Sequence, residues 1–84
     1  MVTLLYFASL REMLDCSREE IPLPANSATV ATLVESLRAR GGGWSEAFAP
    51  GRNWRVAVNQ KMASLASPVG PGDEVAFFPP VTGG

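Results

Sequence analysis

The C-terminal end of this 84-residue chain constrains the fold more than any other stretch. After its first residue, the run Glu74–Phe78 is apolar on both alternating faces, which predicts a buried strand. Pro79 and Pro80 end that strand, since neither can donate a backbone hydrogen bond. The sequence therefore predicts a domain over residues 1–78 and an extended, flexible tail over residues 79–84, whose tip is Val81, Thr82, Gly83 and Gly84.

The tail predicts a carboxylate that reacts inside another protein. Gly83 and Gly84 have no Cβ, so their backbone can enter a channel that is too narrow for larger residues. A terminal glycine pair is also common at frayed chain ends, which is the simpler interpretation of the same two residues. The apolar strand and the two prolines directly before the tip favour the functional interpretation.

Composition limits the classes of function. The chain is 46% hydrophobic and 18% charged, as expected for one small folded domain. A domain of this size buries only about 60–65% of its unfolded surface, so a catalytic pocket would belong mostly to a partner. The net charge of −1 argues against nucleic-acid binding, and no apolar run approaches the roughly 20 residues of a membrane span. The single Cys16 fits a cytoplasmic protein, and the absence of histidine argues against a metal site.

Residue periodicity predicts strands and helices in a mixed order. Strands are predicted at residues 2–8, 19–23, 54–59, 61–63 and 74–78, and a loop at residues 24–28. A short helix over residues 10–15 is predicted to begin with a capping box of Ser9 and Glu12. A long helix over residues 30–40 begins at Thr29, and three glycines at residues 41–43 are predicted to end it before a further helical turn at residues 44–48.

The apolar residues then indicate how these elements pack. Val30, Leu33, Val34 and Leu37 form one stripe along the long helix, as expected for a helix lying on a sheet. The first and last strands are the most apolar, so we expect them side by side, parallel and central. Pro22 places the second strand at an edge. The predicted fold class is α+β: a β-grasp, or ubiquitin-like, fold with a mixed sheet and one main helix across one face.

Other candidate residues have simpler explanations than a functional site. Cys16 is more typical of a small, partly buried residue than of a reactive thiol, and Lys61 of solvated surface. Asp73 and Glu74 are adjacent in a strand, so their carboxylates point to opposite faces. The two tryptophans, at positions 44 and 54, are predicted to belong to the core rather than to an exposed recognition patch.

Three stretches carry a resemblance to a known family. The run from Asp73 to Gly84, DEVAFFPPVTGG, resembles the C-terminus of the small subunit of molybdopterin synthase, the MoaD family of ubiquitin-like sulfur carriers. The opening LYFASLRE over residues 5–12 and VAVNQ over residues 56–60 extend this resemblance over essentially the whole chain. The departures are in the middle, at residues 22–24 and at the three glycines, where they affect partner affinity more than chemistry.

The resemblance implies a mechanism. An E1-like enzyme would use ATP to adenylate the Gly84 carboxylate, and a sulfur donor protein would displace AMP to leave a thiocarboxylate. The tail would then enter the large subunit of molybdopterin synthase and give its sulfur to a cyclic pyranopterin precursor of the molybdenum cofactor. The chain would thus be the sulfur-donating subunit of a heterotetrameric sulfurtransferase, with no bound cofactor and no enzyme activity alone.

The resemblance also implies roles for individual residues. Gly84 would carry the sulfur and Gly83 would give the clearance for threading. The residues implied in partner binding are Phe78, Arg11, Pro79, Pro80, Val81 and Thr82.

Three other interpretations stay open. A thiazole-type sulfur carrier shares the fold and the terminal glycines, although the Phe-Phe-Pro-Pro run argues against it. A ubiquitin-like modifier would attach Gly84 to lysines of target proteins and give covalent ladders in cell extract. A plain interaction module would keep its full function after deletion of Gly83 and Gly84.

Overall fold

The computed structural model of the chain describes residues 1–23 and 29–79. Within those residues, five strands and three helices follow one another. The strands are β1 (Val2–Tyr6), β2 (Arg18–Ile21), β3 (Arg55–Val58), β4 (Lys61–Met62) and β5 (Glu74–Phe78). The helices are α1 (Ala8–Leu14), α2 (Val30–Arg38) and α3 (Gly42–Ala47). The loop predicted at residues 24–28 lies outside the described residues.

The strands form one mixed sheet in the order β2-β1-β5-β3-β4. β5 occupies the centre, where it runs parallel to β1 and antiparallel to β3. The short β2 and β4 lie at the two edges. This arrangement confirms the predicted central parallel pair and the predicted edge position of the second strand, and it has the architecture of a β-grasp fold.

One face of the sheet and the helices enclose the core. The α2 stripe is buried as predicted, and its four residues lie in one cluster with Val75 and Phe77 of β5. Thr29 begins α2 with a reciprocal cap: its side chain accepts a hydrogen bond from the Thr32 backbone, while the Thr32 hydroxyl accepts one from the Thr29 backbone. The sequence pattern therefore identified the main helix and its buried side correctly.

The centre of the core is aromatic. Phe77 is fully buried and stacks on Tyr6 at a centroid distance of 5.9 Å. Phe48 and Trp54 meet it edge-on at 5.1 and 5.5 Å. Offset and edge-to-face pairs of this kind add to the burial of apolar area, so the end of β5 is fixed from one side by three rings.

The first helix begins differently from the prediction. β1 ends at Tyr6 and α1 starts at Ala8, where a backbone φ of 52° turns the chain out of the sheet. Ser9 is therefore already inside the first turn, and the N-cap position falls to Phe7, which makes no side-chain cap hydrogen bond. The predicted capping box of Ser9 and Glu12 is wrong, because the turn out of β1 comes earlier than the sequence pattern indicates.

The three glycines do not simply end the long helix. α2 ends at Arg38, and the glycines at positions 42 and 43 form the first residues of α3. A Cβ at Gly43 would lie 3.0 Å from the Met13 carbonyl oxygen, so this glycine permits a close approach of α3 to the end of α1. β2 is also shifted relative to the prediction, and Pro22 lies just outside it.

Candidate functional site

The candidate site is the base of the C-terminal tail. The described residues end at Pro79, which is half-buried and directly follows β5. Five of the residues singled out from the sequence lie outside the described residues: Pro80, Val81, Thr82, Gly83 and Gly84. Their predicted roles stay predictions, and so does the boundary between a domain over residues 1–78 and a tail over residues 79–84. The structure shows the surface from which the tail leaves, which we call the platform: Phe78 at the end of β5, its neighbour Phe7, and Pro79.

The platform has an aromatic pair beside the tail. Phe78 is the last residue of β5 and points away from the core, because side chains alternate along a strand and Phe77 is buried. Its ring lies 5.6 Å from that of Phe7, which is 42% exposed. The Phe7 backbone N–H donates to the Phe77 carbonyl oxygen at 3.1 Å, which continues the β1–β5 contact past the end of the strands. The pair thus presents apolar surface next to Pro79.

The aromatic pair continues into the sheet face that carries no helix, which we call the open face. Register places Leu5, Ala76, Ala57 and Met62 in one row across four strands. The two alanines are buried, at 8% and 6% exposed, and Leu5 is half-buried, while Met62 is 65% exposed. Exposed apolar side chains such as Met62 and Phe7 on one face of a small domain are typical of a protein interaction site.

The opposite end of β5 is held by polar contacts. The Asp73 carboxylate accepts hydrogen bonds from the Asn59 side chain at 3.0 Å and from the Gly70 backbone at 2.7 Å. These bonds lower the pKa of Asp73 below its usual value, because they favour the charged form. Asn59 also accepts a hydrogen bond from the Glu74 backbone at 3.0 Å. These contacts therefore hold β5 in place at the end of the strand that is remote from the tail.

Arg11 lies on α1, one helical turn after Phe7, and is exposed. Together with Glu12, Asp15 and Cys16 it lines a shallow hollow of about 380 Å³. The cation therefore shares this hollow with the carboxylates of Glu12 and Asp15. Its role in binding, like those of Phe78 and Pro79, stays a prediction.

A second cluster of polar side chains joins β1 and β2 to the residues that follow α2. The Tyr6 hydroxyl donates to Glu19 at 2.9 Å, and Arg40 forms two hydrogen bonds with the same carboxylate. Burial, together with the Glu19 contact, raises the pKa of Tyr6. The Arg40 guanidinium also lies 4.4 Å above the Trp44 ring. Because each member already has a partner inside the domain, this group stabilises the β1–β2 edge.

The other candidate residues have structural roles. Cys16 is half-buried, and its thiol donates to the Arg18 carbonyl oxygen at 3.6 Å. Lys61 is exposed on β4. Trp44 and Trp54 are half-buried and pack against the core, as the sequence predicts. In the parts of the chain that the structure describes, no cluster of three metal-ligating side chains occurs, and none of the helices is long and apolar enough to cross a membrane.

Two residues of this site were missed by the sequence analysis. Phe7 directly follows β1 and continues its alternation, but its place beside Phe78 depends on the turn at Ala8, which no motif marks. Arg55 lies opposite Phe78 in the antiparallel β3–β5 pair. The pairing of these two residues depends on the register between strands that lie about 20 residues apart in the chain. Local periodicity does not predict that register.

Comparisons with known proteins agree with this geometry. The family model described as the ThiS family matches residues 4–84. Two curated relatives, both described as a molybdopterin synthase sulfur carrier subunit, cover 100% of this chain and of their own length. They are the proteins of Haemophilus influenzae, at 42% identity, and of Escherichia coli, at 40% identity.

Solved structures give the same result for the fold. A putative molybdopterin converting factor, subunit 1, from Pyrococcus furiosus superposes with a TM-score of 0.75 at 31% identity, over 95% of this chain and 97% of that chain. A complex of subunits 1 and 2 of the molybdopterin-converting factor from Helicobacter pylori contains a neighbour with a TM-score of 0.64 at 24% identity, over 99% of this chain and 97% of that chain. At that identity the second likeness shows the fold alone.

Proposed function

This chain belongs to the ThiS family and, by identities of 40% and 42% over its full length, to the molybdopterin synthase sulfur carrier subunits, and we propose that it carries its sulfur as a thiocarboxylate on Gly84. The observation that carries this mechanism is the base of the tail. The central strand of the sheet leads directly into Pro79, and the last two residues of the sequence are Gly83 and Gly84. A partly exposed aromatic pair lies beside that exit.

The proposed chemistry takes place on the terminal carboxylate. A carboxylate oxygen of Gly84 attacks the α-phosphorus of ATP and releases pyrophosphate, which gives an acyl adenylate. A sulfur atom at the sulfide oxidation level, delivered by a donor protein, then attacks the acyl carbon and expels AMP. The net change is one oxygen replaced by one sulfur. The thiocarboxylate sulfur is a better nucleophile than a carboxylate oxygen, and it attacks a carbon of a cyclic pyranopterin precursor in molybdenum cofactor biosynthesis, displacing an oxygen substituent. Water then cleaves the acyl–sulfur bond, which leaves the sulfur on the precursor and returns Gly84 to a carboxylate.

The remaining machinery is assigned to partners. These are an E1-like adenylating enzyme, a sulfur donor protein and the synthase large subunit, with which the chain forms a heterotetramer. The description of the relatives as subunits supports a large-subunit partner. A pocket in the partner is also favoured by the sequence, which has no histidine to act as a general base. The proposal places these steps in the cytoplasm, in agreement with a single cysteine and no disulfide.

The tail residues have distinct roles in this mechanism. Gly84 is the sulfur carrier, and Gly83 lets the backbone pass through a narrow channel. Pro80, Val81 and Thr82 lie inside that channel and contact its walls. Phe78 and Pro79, with Arg11 at the side, contact the surface of the partner around the channel entrance. The apolar open face supports this division, because it begins at the point where the tail leaves the sheet.

The experiment that tests the proposal is an intact-mass measurement after incubation with the E1-like enzyme, ATP and a sulfur source. We expect a mass gain that matches the replacement of one oxygen by sulfur, located at Gly84 by fragmentation. Gly84→Ala should lose most of this gain while its unfolding transition is unchanged. Gly70→Ala is the matched control, because its new Cβ would meet only the Asp73 carboxylate, at 3.9 Å.

Three outcomes would contradict the proposal. An unmodified mass, with an activating enzyme that loads another carrier in the same assay, would return the tail to an inert chain end. A gain that fragmentation locates at any residue other than 84 would place the sulfur elsewhere. Higher-mass conjugates to lysines of other proteins, in place of the sulfur gain, would favour a ubiquitin-like modifier.

A further inference from the structure

Arg55 occupies a special position beside the tail. It is the first residue of β3 and pairs with Phe78 in the antiparallel β3–β5 ladder. Paired residues in such a ladder have Cα atoms about 4.5–5.5 Å apart and side chains on the same face. The Arg55 side chain therefore starts on the open face, next to the residue that precedes Pro79, and it is exposed.

The surroundings of Arg55 do not neutralise its charge. The ion pairs found within 4.0 Å among the described residues involve four other arginines, at positions 18, 38, 40 and 52. Arg55 lines an open cleft of about 460 Å³ whose other charged wall residue is Arg52. Arg52 contacts Glu46 at 3.6 Å, but no carboxylate lines the cleft itself. The charge at this point of the surface is therefore positive, although the whole chain carries −1.

The same cleft contains exposed apolar side chains. Met62 and Leu65 are 65% and 52% exposed, and the half-buried Trp54, which packs against the core, lines the same cleft. The cleft thus combines apolar contacts with two guanidinium groups. Such a surface fits a protein segment that presents an acidic side chain beside apolar ones, and charge complementarity of this kind fixes orientation and partner choice.

A protein that encloses the tail has to cover Arg55. Arg55, the first residue of β3, is paired with Phe78, which lies two positions before residue 80. A partner that encloses the tail from residue 80 onward therefore lies next to Arg55. Burying a cation without a counter-charge is unfavourable, whereas a hydrogen-bonded carboxylate offsets the lost hydration. Arginine suits this task, because its planar fork matches the two oxygens of a carboxylate.

We propose that the large subunit of molybdopterin synthase presents a carboxylate to Arg55 at the entrance of the channel that takes the tail. This inference rests on the proposed function, since it assumes that the tail is enclosed by that subunit. It adds a charged, orientation-setting contact to the apolar contacts of the aromatic pair. It also identifies an acidic, partly apolar segment as the part of the large subunit that occupies the cleft.

The test compares charge reversals at two exposed cations. Arg55→Glu reverses the charge beside the tail, and Lys61→Glu reverses one on the neighbouring β4. Lys61 is opposite Val58, so it lies on the other face of the sheet. Binding of each variant to the cognate large subunit is measured by calorimetry at low and at physiological salt. We expect Arg55→Glu to weaken binding about tenfold or more and Lys61→Glu to change it less than about twofold.

Further variants define the nature of the contact. Arg55→Lys keeps the positive charge but lacks the planar guanidinium. Its affinity for the large subunit should therefore lie between those of the wild type and Arg55→Gln. The affinity of Arg55→Gln should also depend less steeply on salt than that of the wild type. Circular dichroism melts check that each variant is folded. Arg55→Glu and Lys61→Glu with equal affinities would overturn the inference, and so would a wild-type salt dependence retained by Arg55→Gln.

The outcomes separate this inference from the proposed function. If the wild type gains sulfur on Gly84 and binds the large subunit, but Arg55→Glu binds equally well, the carrier mechanism stands and the acidic contact is wrong. If the wild type gains no sulfur with a competent activating enzyme, the carrier mechanism itself fails. A sulfur gain on Gly84 of the wild type together with an affinity loss confined to Arg55→Glu supports both.

Discussion

Phe77 and Phe78 are neighbours in β5 and have the same side chain, but they meet two different environments. Phe77 is fully buried and touches the rings of Tyr6, Phe48 and Trp54. Phe78 is half-buried, on the open face, and its aromatic neighbour is the exposed Phe7. One residue therefore joins the sheet to the helices, while the next one offers its ring to a partner.

This difference shows how a small domain combines stability with binding. A chain of 84 residues has one core, and β5 is the strand through which that core and the tail are connected. Because side chains alternate along the strand, the residues on one face of β5 pack in the core and those on the other face are available to bind a partner. A change on one face should therefore alter stability, and a change on the other should alter binding.

Phe77→Ala is expected to have the largest effect on folding. Removing a fully buried ring takes away its transfer free energy and leaves a cavity among three aromatic neighbours, which costs about 3–5 kcal/mol. This is a large part of the stability of a domain this small. Urea unfolding followed by tryptophan fluorescence measures the change. A loss below that of Phe78→Ala would show that the two faces do not differ as described.

Phe78→Ala is expected to act on binding. Its half-exposed ring contributes little to the core, so the free energy of unfolding should fall by less than about 1.5 kcal/mol. Binding to the large subunit should weaken about tenfold or more, because aromatic residues at the centre of an interface carry much of the affinity. Calorimetry with the large subunit gives the affinity. Unchanged affinity with a large loss of stability would assign Phe78 to the core.

The two faces also differ in how well the sequence predicted them. Alternation in β1 and β5 and the α2 stripe placed the buried side chains correctly, because burial follows local periodicity. The partner side depends on non-local facts. The contact of Phe7 with Phe78 requires an early turn at Ala8, and the place of Arg55 requires the β3–β5 register. The predicted Ser9 capping box failed at the same turn.

Asp73→Asn tests whether polar contacts at the start of β5 contribute to its stability. The hydrogen bonds from Asn59 and Gly70 lower the pKa of Asp73 below 3.8, so its carboxylate stabilises the fold above pH 3.8. This contribution is lost as the pH falls through the lower folded value. At neutral pH the variant should be less stable by about 1 kcal/mol or less, since the group is partly solvated.

The measurement is urea unfolding of the wild type and Asp73→Asn across the acid range. The difference between them should be largest near neutral pH and should shrink as the pH falls from 3.8 through the lower folded pKa, below which Asp73 is protonated in both states. Binding to the large subunit should be unchanged at neutral pH, because Asp73 is at the end of β5 remote from the tail. A stability difference that is independent of pH would show that the ionised form is not what the hydrogen bonds favour.

Gln60→Gly is expected to give the smallest effect, and it separates stability from binding. Asn59 and Gln60 form the two-residue turn between β3 and β4, with φ values of 52° and 67°. Such a turn favours glycine at its second position, because a Cβ is strained at positive φ. The variant should therefore be more stable by about 0.5–1 kcal/mol. Gln60→Ala is the matched control, because it keeps the Cβ and gives no relief.

The affinity of Gln60→Gly for the large subunit tests whether the two faces of β5, with Phe77 on one and Phe78 on the other, act independently. Gln60 does not line the cleft at Arg55, and it follows the end of β3 remote from the residue that pairs with Phe78, so a more stable fold with unchanged affinity is expected. In that case the loss of binding in Phe78→Ala reflects a missing contact on the open face. If the stabilised variant also binds more tightly, affinity follows the rigidity of the whole sheet, and the two faces of β5 do not act independently.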